Sequence, residues 1–340
     1  MRAVVLAAAI AFACTTPSPA PATDGPVSPA PLTATAPAAR TTPPVGAGAT
    51  ASPTTSWRRV ADIPTPRSEA AAAVVDGKAY VVGGFGGGNR VERYDAAADR
   101  WERVADLPVS VDHPMAAATE GASPAEAAVY VFGGNAGNAL GRAFRFGVLS
   151  GRWEEIEPMP GPRAAGAAVT LGAKIYIFGG AEGQRLVAPT YEYDVAARRW
   201  RAIASIPTPR DHLAAVALAD RVCAVGGRRL SLSLNLASLE CYDPATDGWE
   251  RLADAPTARG GVGAAVVGRT MYFIGGEQPA GTFREVELYD SDAKAWRHGP
   301  DLPTPRHGIG VVALRGTVLV LAGGPTPGGS QTAVCEALGP

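Results

Sequence analysis

The 340-residue sequence holds four histidines, and two of them, His113 and His212, each directly follow an aspartate, Asp112 and Asp211. An imidazole beside a carboxylate can work as a general base with its orienting group. Neighbouring side chains on an extended strand point to opposite faces, however, so adjacency alone is expected to keep each pair from cooperating. No Gly-x-Ser-x-Gly turn occurs, nor any His-x-x-x-His or Cys-x-x-Cys spacing. A nucleophile elbow is therefore not expected, and neither is a metal site or any other cofactor. Paired glycines recur along the chain without a helix start or a Walker pattern beside them. They are expected where backbone must approach backbone, and not at a phosphate.

These residues sit within a repeat. Glycine pairs stand at Gly83-Gly84, Gly133-Gly134, Gly179-Gly180, Gly226-Gly227, Gly275-Gly276 and Gly323-Gly324, and the six tryptophans of the chain, Trp57, Trp101, Trp153, Trp200, Trp249 and Trp296, keep step with them. Between one tryptophan and the next lie strand-length runs separated by turn residues, and the spacing predicts one four-stranded antiparallel sheet per unit. An isolated sheet of this kind leaves both faces uncovered, so the units are predicted to stack on one another. The last unit runs out of chain before its tryptophan. The segment TTSWRRVADIP, from Thr54 to Pro64, is an outer strand with no unit of its own, and it matches WERVADLP and WERLADAP further on. The first strand is thus expected to complete the last unit, which removes unpaired sheet edges.

The motifs VYVFGG, IYIFGG and MYFIGG, followed by VERYD, LECYD and VELYD and then the tryptophan, resemble the kelch-repeat family over about residues 54–340. The resemblance implies an all-β fold, a six-bladed β-propeller of kelch repeats whose ring is closed by the N-terminal strand completing the C-terminal blade. Ten residues separate the tryptophan from an arginine in five units, as in Trp57 to Arg67 and Trp200 to Arg210, while Val111 holds that place in the second. The repeated arginine is expected to hydrogen-bond between blades, and the Trp and Tyr columns to fill the inter-blade core. The loop after each glycine pair varies in length, and alternating strand directions put it on the same face as the loop leading into each blade. In kelch proteins those two loops commonly supply ligand contacts. The resemblance therefore implies a site at one channel mouth drawn from Glu69, His113 and His212, with Arg228 and Arg229 nearby and with Arg90, Asn135, Gln184, Arg185 and Glu277 on the other loops. His298 is expected on an outer strand in solvent, and His307 one position away from the mouth. Kelch-type copper-radical oxidases need a Tyr-Cys thioether and two histidine ligands. No matching set exists here, so copper is not expected. The reading is a binding module for a protein or carbohydrate ligand. The alternative is a carbohydrate-modifying enzyme similar to the sialic-acid mutarotase, another six-bladed kelch-like propeller, with Glu69 and His113 or His212 as acid and base.

Composition sets further bounds. A net charge of −1 gives no reason to expect nucleic acid or an anionic membrane surface as partner. Residues 1–13 read as a signal peptide, with Arg2 before an apolar run too short to span a bilayer. Ala11-Phe12-Ala13 before Cys14 resembles a bacterial lipoprotein signal, which implies a lipidated Cys14. The rest of 14–53 is rich in Pro, Ala and Thr and is expected to be a disordered tether. The protein is accordingly expected to be exported to the cell envelope, to touch the membrane only through its lipid, and to be a monomer. Cys223 and Cys241 lie on neighbouring strands and can bridge if their register matches, which leaves Cys335 free.

Overall fold

The computed structural model of the chain describes residues 55–339. The expected signal, the lipidation site Cys14 and the tether lie outside the described residues. Six antiparallel sheets follow one another in the chain, each a four-stranded meander, with the short strand Arg185–Leu186 added to the third. Blade 1 runs Ala71–Val75, Lys78–Val82, Val91–Asp95, Arg100–Arg103. Blades 2 to 5 repeat that meander over 115–156, 164–203, 214–251 and 263–298. Blade 6 contributes Gly310–Leu314, Thr317–Leu321 and Cys335–Gly339 and takes its outermost strand, Ser56–Val60, from the start of the fold. That strand pairs antiparallel with Cys335–Gly339, Trp57 opposite Leu338.

Position in the blade dictates residue type. The innermost strands crowd around the axis and are built of small residues, AAAVV, MAAAT and AAVAL among them. The second strands are covered on both faces by neighbouring blades and read as unbroken apolar runs, such as AVYVF, buried throughout. The outermost strands alternate charge with the tryptophan. Six apolar clusters result, one at each junction between neighbouring blades, including the junction of blade 6 with blade 1.

The tryptophans lock these junctions. Each indole Nε1 donates to a backbone carbonyl that leaves the preceding blade, Trp101 to Ala61, Trp153 to Ala105, Trp200 to Glu157, Trp249 to Ala204 and Trp296 to Ala253. Trp57 does the same across the closure, reaching the Pro300 carbonyl at 2.8 Å. Its ring is half-buried against the cluster between blades 5 and 6.

The repeated arginine departs from expectation. Its side chain folds back into its own blade, because the strand it precedes brings the guanidinium under a buried glutamate on that blade's third strand. Arg67, Arg210, Arg259 and Arg306 pair with Glu92, Glu240, Glu287 and Glu336 at 2.5, 2.7, 2.8 and 2.5 Å, with the arginines fully buried. Thr65, Thr208, Thr257 and Thr304 donate to the same carboxylates. What passes between blades is the arginine's backbone carbonyl, which accepts from the second glycine of the preceding blade, as in Gly180 to Arg210 and Gly227 to Arg259. A Cβ on Gly84, the glycine in this position in blade 1, would stand 2.4 Å from the Ser68 carbonyl, which explains why the second place tolerates no side chain. In blade 6 this contact is made by Gly323 to Arg67. The structural pair there is Ala322-Gly323, and not Gly323-Gly324, with Ala322 held at φ 57°. Blade 2 has lost both partners together: Val111 and Phe144 stand in the Arg and Glu places and join one apolar cluster. In blade 3 Tyr191 takes the glutamate place, and Arg163 lies over its ring. Burial without a carboxylate pushes Arg163 down to about 10.

Cys223 and Cys241 are direct cross-strand partners in blade 4 and form a disulfide. Cys335 is a free, buried thiol, which burial pushes up to about 11. His298 is exposed on an outer strand.

Two stability experiments follow from this packing. Trp57→Phe deletes the bond across the closure and should cost about 1 kcal/mol in urea unfolding, while Trp57→Ala should cost roughly 2–3 kcal/mol. Arg210→Val alone should cost about 3–5 kcal/mol by stranding the Glu240 carboxylate in the interior. Adding Glu240→Phe, the pairing that blade 2 uses, should recover at least half of that loss in the same measurement.

Candidate functional site

The loop leading into each blade places one residue at the channel mouth, two positions after the repeated arginine or Val111. These residues are Glu69, His113, Ala165, His212, Gly261 and Gly308, and all six hold left-handed backbone, with φ between 52° and 67°. The reason is a closed belt of hydrogen bonds. The amide of each donates to the carbonyl of its counterpart in the preceding blade: His113 to Glu69 at 2.9 Å, Ala165 to His113 at 3.0 Å, His212 to Ala165 at 2.7 Å, Gly261 to His212 at 2.9 Å, Gly308 to Gly261 at 2.8 Å and Glu69 to Gly308 at 2.9 Å. Left-handed backbone disfavours side chains by about 1 kcal/mol or more each, yet four of the six positions are not glycine.

The same backbone reverses the expectation for the Asp-His pairs. His113 and His212 are left-handed and precede their strands, so neither projects opposite its neighbouring aspartate as it would in extended backbone. Asp112 Oδ1 lies 2.6 Å from His113 Nδ1, and Asp211 Oδ2 lies 2.6 Å from His212 Nδ1. The two imidazoles, from blades 2 and 4, meet edge to face at 4.9 Å between centroids, with the small Ala165 of blade 3 between them in the belt. Glu69 Oε2 is 3.5 Å from His113 Nε2, and Glu69 Oε1 is 3.1 Å from Nδ1 of His307. His307 is fully buried, and its Nε2 lies 3.1 Å from the Thr326 carbonyl.

Electrostatics follow from this crowding. Burial opposes ionisation of Glu69, but His113, the hydrogen bond from His307, and His212 outweigh it and hold the carboxyl well below the usual range. Burial likewise disfavours the charged form of His113, yet Glu69 and Asp112 raise its pKa. For His307 burial is outweighed by Glu69 and Glu277. For His212 burial prevails over Asp211 and lowers it.

The mouth brings together some of the residues singled out in the sequence and leaves others apart. Glu69, His113 and His212 share the belt. Arg228 pairs with Glu277 at 2.6 Å and lies 3.7 Å from Asp211, and Glu277, almost wholly buried, also accepts from the Gly328 amide at 2.9 Å. Asn135 is half-buried and donates to Asp112 at 3.3 Å. Arg90 does not line the channel; it donates to Thr65 and its carbonyl accepts from Arg67, so it braces blade 1. Gln184 and Arg185 are exposed at the tip of a blade 3 hairpin, where Arg185 pairs with Glu182, and Arg229 is exposed on the blade 4 loop. His307 is part of the cluster after all, because Glu69 reaches it across the blade 6 to blade 1 junction. The position directly after the repeated arginine holds Asp112, Asp211 and His307 in alternate blades, where the others hold Ser68, Ala164 and Gly260. Reading that column across the repeats is the signal that finds them.

Beneath the belt the channel is lined by small residues of the innermost strands and encloses about 140 Å³. A larger groove of about 1070 Å³ opens on the opposite face between blades 2 and 3, beside the long turn at 120–127 that joins the first two strands of blade 2. Around the mouth, the blade 4 loop carries two exposed leucines, Leu230 at 39% and Leu234 at 54% exposure, next to Arg229. Leu230 is itself left-handed, at φ 61°, and its amide donates to Asp211 Oδ1 at 2.8 Å.

Fold and mouth together define a six-bladed propeller with loop-built contacts at one end of its channel. The family described as the KLHDC2/KLHL20/DRC7 Kelch-repeats domain matches residues 50–180 and again 157–324, and the chain belongs to that kelch-repeat family. Beta-scruin from Limulus polyphemus is 30% identical over 149 residues, 39% of this chain and 16% of the relative. Alpha-scruin from the same animal is 29% identical over 140 residues, 38% of this chain and 15% of the relative, so the matches span about a sixth of those proteins. The solved structure of YjhT has the same fold, with a TM-score of 0.71 at 16% identity over 82% of this chain and 96% of that one.

The strain in the belt is testable at Ala165, whose side chain is the smallest on left-handed backbone there. Ala165→Gly should raise stability by about 0.5–1 kcal/mol, whereas the β-branched Ala165→Val should lower it by more than about 1 kcal/mol, both read from urea denaturation.

Proposed function

We propose that this chain is an exported partner-binding module, a monomer, that takes a protein ligand on the rim of its channel mouth. Kelch repeats are in general an interaction fold. The single observation that carries the site is the blade 4 loop, where Leu230, Leu234 and Arg229 are exposed side by side and the loop is pinned to Asp211 beneath it. Neighbouring exposed leucines make an apolar patch, and the arginine beside them is a residue type enriched in protein interfaces. Volume argues the same way. The usual small-molecule pocket measures about 300–1,000 Å³, while the channel under the belt encloses about 140 Å³. That space suits an ion or a few waters better than a sugar, which weighs against the mutarotase-like alternative at Glu69 and the two histidines. Export and lipid anchoring through Cys14 remain part of this proposal, and the Cys223–Cys241 disulfide supports it, since such bonds persist in oxidising compartments.

The test is a peptide and glycan array followed by surface plasmon resonance on the strongest hit. Arg229→Glu with Leu234→Asp should weaken binding at least ~30-fold, the size of an interface hot spot. Leu149→Asp, on the opposite face and 73% exposed, should leave it unchanged. The reverse pattern would move the site to the other face and end this reading. A glycan hit that responds to the rim substitutions would keep the site and replace the ligand class.

A further inference from the structure

Glu69, His113 and His212 come from three different blades, and each offers a ligand atom within 4.8 Å of the others. Two ligands at about 2.1 Å from a tetrahedral ion stand roughly 3.4 Å apart, and Glu69 Oε2 already lies 3.5 Å from His113 Nε2. The remaining atoms of these side chains are arranged as ligand supports. Each histidine gives its Nδ1 to an aspartate at 2.6 Å, so in the neutral imidazole the proton sits on that nitrogen and Nε2 carries the lone pair. An imidazole backed by a carboxylate in this manner is the usual outer support of a metal-binding histidine. Glu69 is held by one oxygen, Oε1, on His307, which leaves Oε2 free to face His113.

Charge points the same way. Among the described residues, the carboxylates of Glu69, Asp112, Asp211 and Glu277 face one guanidinium, Arg228, and the imidazoles of His113, His212 and His307. Arg228 is committed to Glu277 at 2.6 Å. With the imidazoles neutral, as metal ligation requires, the cluster is short of positive charge between Glu69 and the two histidines.

We propose that Glu69, His113 and His212 bind one divalent transition-metal ion at the channel mouth, with Asp112, Asp211 and His307 as positioning residues. Two imidazole nitrogens and one carboxylate oxygen suit Zn²⁺, Fe²⁺, Co²⁺ or Ni²⁺ and do not suit Mg²⁺ or Ca²⁺, which take oxygen ligands. Three protein ligands leave at least one coordination position, facing a cavity of about 140 Å³ with room for water or a small anion. The spacing rules that argue against a metal in this sequence look for ligands within one segment. Here the ring of blades supplies them from three. The ion lies on the floor of the mouth and does not depend on what the rim binds.

The experiment uses the purified full chain, stripped with a chelator, then titrated with Zn²⁺ in a calorimeter and with Co²⁺ by visible absorption. One ion per chain is expected, with Co²⁺ bands of a nitrogen and oxygen site. His113→Asn and His212→Asn keep a residue at ease in left-handed backbone, and each should weaken binding at least ~100-fold. Asp112→Asn and Asp211→Asn should each weaken it ~10–100-fold. His298→Ala, on an exposed outer strand, should change nothing. Failure of both ions to bind saturably at one equivalent overturns the proposal, and so does binding that survives in the His113→Asn/His212→Asn double variant. If the histidine variants do not fold, Glu69→Gln and Asp211→Asn decide the matter by the same criterion.

Discussion

Six backbone hydrogen bonds, each handed from one blade to the next, hold the channel mouth in a circle, and the rest of the architecture is consistent with serving that closure. A bond of this kind links residues at equivalent places in consecutive blades, so the set is complete only if the sixth blade meets the first. Glu69 to Gly308 is the link that completes it. The borrowed strand Ser56–Val60 completes blade 6, and the Trp101 bond to Ala61, just past that strand, secures the same junction at the perimeter. Inner belt and outer indoles thus restrain each interface at both ends, while the apolar clusters fill the space between.

Within a blade the structure shows two answers to one packing problem. The space between the leading loop and the third strand is filled in four blades by a buried Arg–Glu pair with a threonine on the carboxylate, and in blade 2 by Val111 and Phe144. An ion pair in that place must recover a desolvation cost, and an apolar pair need not. What the arginine adds is order: its guanidinium also reaches backbone carbonyls in and just past the second strands, such as Ala224 and Gly83. Blade 2 gives up those bonds and also carries the long turn at 120–127, on the face away from the mouth.

The belt explains why chemistry gathers where it does. Left-handed residues turn their side chains toward the axis together with those of their neighbours, so a column that looks split between two faces becomes one cluster. His113 with Asp112 and His212 with Asp211 are the result, and Glu69 joins them because its blade lies next in the ring. The strain stored at these positions is the kind found at functional sites. Rim and floor are linked by Asp211, which orients His212 with one oxygen and holds the Leu230 amide with the other.

The repeat made the fold legible. Tryptophan, glycine and arginine columns in fixed register gave blade number, strand order and the borrowed strand, because each blade meets the same neighbours and so needs the same residues at the same places. Even there one column slipped: the run LAGG in blade 6 hides its structural pair at Ala322-Gly323, where an alanine on left-handed backbone takes the place of the first glycine. The site was legible only in part. Glu69, His113 and His212 stood out as polar residues in one column, but Arg90, Gln184 and Arg185, on the variable loops, lie off the channel. The pairing of each aspartate with its histidine, and the capture of Glu69 by His307, depend on backbone handedness and on which blades become neighbours when the ring closes. Neither is written in local spacing. Sequence determined the units and their order; the closed circle decided which side chains from different units would meet, because only closure sets their distances across the axis.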